Sequence, residues 1–76
     1  MKEVLITTEP VELYKILKFE GLASSGGEAK LVIEQGKVRV NGSVETQKRK
    51  KITSGDIIEF ASEIFSVKHI GKENDK

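Results

Sequence analysis

The sequence has no cysteine, no tryptophan, one histidine, one tyrosine and three phenylalanines. Each shortage excludes something. Without thiols, no disulfide can cross-link the chain and no thiolate site can hold a structural metal. With His69 as the sole imidazole, a metal centre would have to be almost entirely carboxylate. Ser24 and Ser25 have no partner base in the pattern, and the glutamates are scattered among lysines as on an ordinary surface. No enzymatic role, cofactor or metal is therefore expected. No apolar run approaches the roughly 20 residues that cross a bilayer. The opening Met1-Lys2-Glu3-Val4-Leu5-Ile6 has too short an apolar stretch for a signal peptide, so a cytoplasmic protein is expected. Phe60 and Phe65 fall at inward strand positions, and Tyr14 and Phe19 fall near the core boundary of a helix. A sheet studded with stacking rings for single strands is not predicted.

What is present is short and unevenly charged. A chain of 76 residues makes one small domain with a thin stability margin. The formal net charge is only +1, yet Lys37 to Lys51 holds six basic residues and one acid, Glu45, while the remainder holds seven basic and eleven acidic residues. If exposed, such a segment polarises the surface and attracts polyanions.

The hydrophobic periods predict an α+β fold. Val4-Leu5-Ile6 suits an edge strand. Thr8 or Glu9 can cap a first helix with Pro10 in its first turn, and Leu13, Ile16 and Leu17 then share one face before Gly21 stops the helix. Ser25 with Glu28 three residues later forms a capping-box pattern for a second helix carrying Ala29, Val32 and Ile33, closed by Gly36. Two helices so close together pack as a helix-turn-helix. Beyond Gly36 the period becomes two: Val38 and Val40 alternate with Lys37 and Arg39, Asn41-Gly42 is a tight turn, and Val44 lies on the return strand. Ile57-Ile58-Glu59-Phe60 and Phe65 to Val67 continue the sheet. The predicted core is Leu13, Ile16, Leu17, Leu22, Ala29, Val32, Ile33, Val38, Val40, Ile52, Ile58, Phe60, Phe65 and Val67. Residues 1–70 are expected to form the domain, and 71–76, with nothing to bury, a disordered tail.

Two stretches are candidates for binding. Gly26 and Gly27 open the second helix at a cost of about 1 kcal/mol each relative to alanine. Either backbone N–H groups there must approach a phosphate, with Ser25 adding a hydroxyl and Lys30 a charge, or the glycines let the two helices pack at a tight corner. The Gly-Lys-Ser/Thr ending of a nucleotide-binding loop is absent. The run Lys48-Arg49-Lys50-Lys51 is either a solvated loop or a polyanion contact. Lys37 and Arg39 favour the second reading: with Val38 and Val40 inward, both project from the opposite face, and the Asn41-Gly42 turn is expected to bring the following residues back beside them.

The stretch Leu17 to Lys30, with its Ser24-Ser25-Gly26-Gly27-Glu28-Ala29-Lys30 core, followed by Ile33-Glu34-Gln35-Gly36-Lys37-Val38-Arg39-Val40-Asn41-Gly42, resembles the RNA-binding domain first described in ribosomal protein S-four, the αL motif. With Val44-Glu45-Thr46 and the following basic run, it is closer still to stand-alone bacterial proteins of the YaaA/YbcJ kind. The resemblance covers about residues 8 to 60. It implies an αL fold and binding to structured RNA, usually ribosomal RNA or an RNA-containing assembly. Ser25, Lys30, Lys37, Arg39 and Asn41 match the family's RNA face, and Lys48, Arg49 and Lys51 match the basic run of the YaaA/YbcJ-like members. Two departures stand out. Gly26 occupies the position where many such domains have arginine, and the first helix opens Val11-Glu12-Leu13 in place of Arg-Leu-Asp. The glycine-rich backbone and Lys48 to Lys51 are expected to replace the lost arginine contact.

The expected function is a non-catalytic, ribosome-associated RNA binder acting through Ser25, Gly26, Gly27, Lys30, Lys37, Arg39, Asn41, Lys48, Arg49, Lys50 and Lys51, with rRNA, the ribosome or ribosomal proteins as partners and no membrane. The alternative is a protein–protein adaptor that turns the same basic face to an acidic partner. Duplex DNA is disfavoured, because the second helix is short and largely apolar and its acids would face phosphates.

Overall fold

The computed structural model describes residues 1–70. The tail predicted at 71–76 lies outside them. The elements run β1 (Lys2–Ile6), β2 (Val11–Glu12), α1 (Leu13–Phe19), α2 (Gly26–Glu34), β3 (Val38–Val40), β4 (Ser43–Val44), β5 (Lys51–Ile52), β6 (Ile57–Phe60) and β7 (Glu63–His69). Five strands form one sheet in the order β1-β7-β6-β3-β4, and β2 with β5 forms a separate ladder. Only β1 and β7 run parallel; the other pairs are antiparallel. This is the expected α+β architecture, two helices packed on a mostly antiparallel sheet.

Helix α2 forms where its signals place it. Ser25 is extended at φ −156°, and its hydroxyl accepts the Glu28 N–H at 3.1 Å. At the far end Gly36 adopts φ +78°, where a side chain would be strained. Its N–H donates to the Ile33 carbonyl at 3.0 Å and that of Lys37 to Val32 at 3.1 Å, and the chain turns into β3. Asn41 (φ 53°) and Gly42 (φ 86°) make the predicted hairpin turn. A second left-handed pair, Ala61 (φ 54°) and Ser62 (φ 68°), joins β6 to β7 without glycine.

Helix α1 starts later than predicted. It begins at Leu13, with Glu12 as its N-cap residue, and Thr8, Glu9 and Pro10 all precede it. Proline disfavours the helical region for the residue before it, and Val11 and Glu12 find ladder partners in Ile52 and Lys51. Glu9 is used elsewhere: its carboxylate accepts the Ser54 N–H at 2.6 Å.

The core contains eleven of the predicted residues, led by Leu13, Ile16, Leu17, Ile33, Ile52, Ile58 and Val38. Leu22, Val32 and Phe60 are only half-buried at its margin, while Val4, Ile6 and Ala23 join it. Strand β1 is an edge strand as expected, but being at an edge leaves one face covered. Val4 lies opposite Val67, so the alternate residues Val4 and Ile6 turn inward. Each fully buried aliphatic side chain contributes about 1.5–3 kcal/mol.

Candidate nucleic-acid interface

The site is assembled around the uncapped start of α1. Glu12 makes no side-chain cap, so the first N–H groups of the helix need other acceptors. They find them in the basic run: the Leu13 N–H donates to the Lys50 carbonyl at 2.9 Å and the Tyr14 N–H to the Lys48 carbonyl at 3.1 Å. The carbonyls of Lys48 and Lys50 therefore cap α1, and this fixes the loop that presents the side chains of Lys48, Arg49 and Lys50.

Tyr14 joins this loop to α2. The Lys30 ammonium lies 4.6 Å from the centre of its ring and the Arg49 guanidinium carbon 5.6 Å from it. Cation–ring contacts of this kind contribute about 0.5–1 kcal/mol at exposed sites. They bring cations from two separate segments to one ring. Arg49 also reaches Glu12 at 3.5 Å, and Lys48 pairs with Glu34 at 2.7 Å.

The start of α2 borders the same ring. A Cβ on Gly26 would stand 3.8 Å from the nearest Tyr14 ring carbon, and one on Gly27 would meet only the Ser25 hydroxyl, also at 3.8 Å. These are ordinary van der Waals distances, so close packing of the helices does not require either glycine. Ser25 takes the Glu28 N–H and its carbonyl takes that of Ala29. Among the described hydrogen bonds, none uses the N–H groups of Gly26 or Gly27. Two backbone donors thus lie at the positive end of the α2 dipole, whose first residue, Gly26, borders the ring that Lys30 and Arg49 share.

The capping box closes differently from its usual pattern. The Glu28 carboxylate accepts the Ser24 N–H and the Ser24 hydroxyl, each at 2.6 Å. The hydroxyl first, and the backbone N–H second, hold the carboxyl below the ordinary glutamate range. A lowered folded-state pKa stabilises the corner fully above the unfolded value and loses that effect as pH falls through the folded one. The Ser24 amide is therefore expected to show rising hydrogen exchange, corrected for intrinsic rate, as pH falls below the ordinary glutamate range, and Glu28→Gln should flatten that dependence. Ser25→Ala should lower stability by about 1 kcal/mol at any pH in denaturant titration.

The other predicted residues lie apart from this cluster. Lys37 and Arg39 border a shallow cleft under the Ala61–Ser62 turn. Arg39 stands opposite Glu59 and donates to the Gly42 carbonyl at 3.3 Å. The hairpin returns the chain beside Arg39 as expected, with Val44 opposite it, but it does not bring the basic run there. Its return strand is only Ser43–Val44, after which the chain leaves the sheet to cap α1. No described contact joins Lys37 or Arg39 to Lys48–Lys51. Lys51 is exposed in the small ladder opposite Glu12. Asn41 has a role inside the fold: its amide donates to Asp56 at 3.1 Å and its carbonyl oxygen accepts the Ile57 N–H at 2.9 Å. The sequence did not mark Tyr14, whose helix phase placed it at the core boundary and whose partners come from two other segments.

Among the described residues no group of three His, Cys, Asp or Glu side chains could hold a metal ion, and no helix is long and apolar enough to cross a membrane. The fold and the cluster define a small helix-turn-helix domain on a mixed sheet with a cation-rich corner. Residues 4–68 match the S4 domain family model, and the chain belongs to that family. It is 47% identical over 57 residues to a putative RNA-binding protein, YbcJ, of Escherichia coli strain K12, covering 75% of this chain and 81% of that protein. The solution structure of YbcJ from E. coli, described as revealing an αL motif involved in RNA-binding, superposes with a TM-score of 0.67 at 43% identity, over 88% of this chain and 86% of that one. Tyrosine–tRNA ligase of Bordetella pertussis is 38% identical over 58 residues, which are 14% of that enzyme. What the chain shares with the ligase is confined to that 14% of it.

Proposed function

We propose that the chain is an RNA-binding module of the cytoplasm that grips structured RNA, specifically ribosomal RNA or a ribosome-assembly intermediate, with residues 1–70 acting as one domain. One observation carries the reading: Lys30 and Arg49 both lie on the Tyr14 ring, which the first residue of α2, Gly26, also borders. Two cations on one ring beside a helix start suit a phosphate oxygen, and the long spacing of a folded RNA backbone suits further cations at Lys48, Lys50 and Lys51. Lys37 and Arg39 form a second contact on the sheet, and Asn41 shapes the hairpin that presents Arg39. The naming of YbcJ as RNA-binding supports the same assignment.

Contacts of this kind supply affinity and register, with little base discrimination. The test is crosslinking and sequencing of RNA bound in cells to the tagged protein and to its Lys30→Ala/Arg49→Ala variant. Enrichment of one rRNA region, lost in the variant, is the expected result. Equal background RNA from both strains would overturn the assignment and favour an acidic protein partner.

A further inference from the structure

Phe19 is the one phenylalanine the fold does not use. It ends α1 and is 69% exposed, whereas Phe65 is buried and Phe60 half-buried. A single exposed ring means little by itself; the surroundings of this one give it significance. Phe19 borders a shallow cleft with Lys15, Lys51, Pro10, Val11 and Glu12. Glu12 pairs with Lys15 at 3.7 Å and with Arg49 at 3.5 Å. It therefore ties this cleft to the Tyr14 cluster, and the cations continue from Lys30 through Arg49 and Lys15 to Lys51 around the flank of α1. Phe19 lies five positions after Tyr14, about 7.5 Å along the helix axis and about 140° around it, so the two rings stand on different flanks of α1.

We propose that Phe19, with Lys15 and Lys51, is a stacking site for an unpaired RNA base next to the helix gripped at Tyr14. The inference rests on the RNA-binding reading and deepens it, since it makes the preferred ligand a paired stem carrying a bulged or looped-out nucleotide. The ring offers an apolar face to any base, and the two ammonium groups take the flanking phosphates. Lys15 and Lys51 border the ring on one side, and Leu5, Thr7 and Val11 on the other; the lysines, continuous with the proposed RNA face, favour RNA over a protein partner.

The experiment compares two probes, an RNA hairpin with one bulged uridine and the same hairpin fully paired, against wild type, Phe19→Ala, Phe19→Trp and Lys30→Ala/Arg49→Ala. Phe19→Ala is expected to weaken binding of the bulged hairpin roughly tenfold or more and to leave the paired hairpin unchanged. Phe19→Trp should retain the preference, and its fluorescence should be quenched by the bulged probe. Lys30→Ala/Arg49→Ala should weaken both probes alike. If Phe19→Ala binds both probes as wild type does while Lys30→Ala/Arg49→Ala loses both, the stacking site is wrong and the RNA-binding reading stands. If wild type binds neither probe, both fail. Because Phe19 is exposed, its alanine variant should keep the wild-type melting temperature, so lost binding reports on the site.

Discussion

Lys30→Ala/Arg49→Ala is expected to lower affinity for structured RNA roughly a hundredfold at moderate salt. Each charge-assisted contact to phosphate contributes about 1.5 kcal/mol or more, and two of them give about that factor. The slope of log affinity against log salt should fall by about two, one for each lost phosphate contact. Fluorescence anisotropy from low to moderate salt measures both quantities. Lys37→Ala/Arg39→Ala is the informative comparison, since those two side chains lie on the sheet and share no described contact with the Tyr14 cluster. If the two pairs act at separate phosphates, their effects should be additive. A cluster variant that loses affinity with no change of salt slope would mean that Lys30 and Arg49 act by holding Tyr14 in place. In that case Tyr14→Ala should reproduce the loss.

The largest effect on stability is expected from Ile52→Ala. Ile52 is fully buried and lies in β5, directly after the basic run. Truncation of a buried isoleucine costs about 2–5 kcal/mol, a large share of the total for a domain this small. The melting temperature should fall by at least about 10 °C. The site should suffer with the fold, because Ile52 pairs with Val11 in the ladder that holds Lys48 and Lys50 against the start of α1. Calorimetry with and without an RNA hairpin checks this. Bound RNA should raise the melting temperature of wild type, and raise that of the variant by less. A drop of only 1–2 °C would mean that the β2–β5 ladder is peripheral to the fold.

Much of this molecule is legible along the chain. The period of 3.6 over α2, the Ser25 cap, the left-handed Gly36 and the Asn41-Gly42 turn are local, each decided by residues within about four positions of one another. The alternation of Val38 and Val40 with Lys37 and Arg39 correctly places the cations on the outer face, because a strand leaves no other choice. Where a non-local partner intervenes, local reading fails. Val11 and Glu12 look like the first turn of a helix until Ile52 and Lys51 pair with them, which delays α1 to Leu13. Val4 and Ile6 count as core only once β7 lies beside them.

The sequence by itself determined the class of fold, the identity of the basic residues and the glycine-led start of α2, since composition and short-range pattern decide those. Only the tertiary structure decided how the cations are grouped. The uncapped N–H groups of α1 require acceptors, and the carbonyls of Lys48 and Lys50 supply them from more than thirty positions away. That backbone requirement draws the basic run off the sheet and away from Arg39, and it sets Arg49 over the same ring as Lys30.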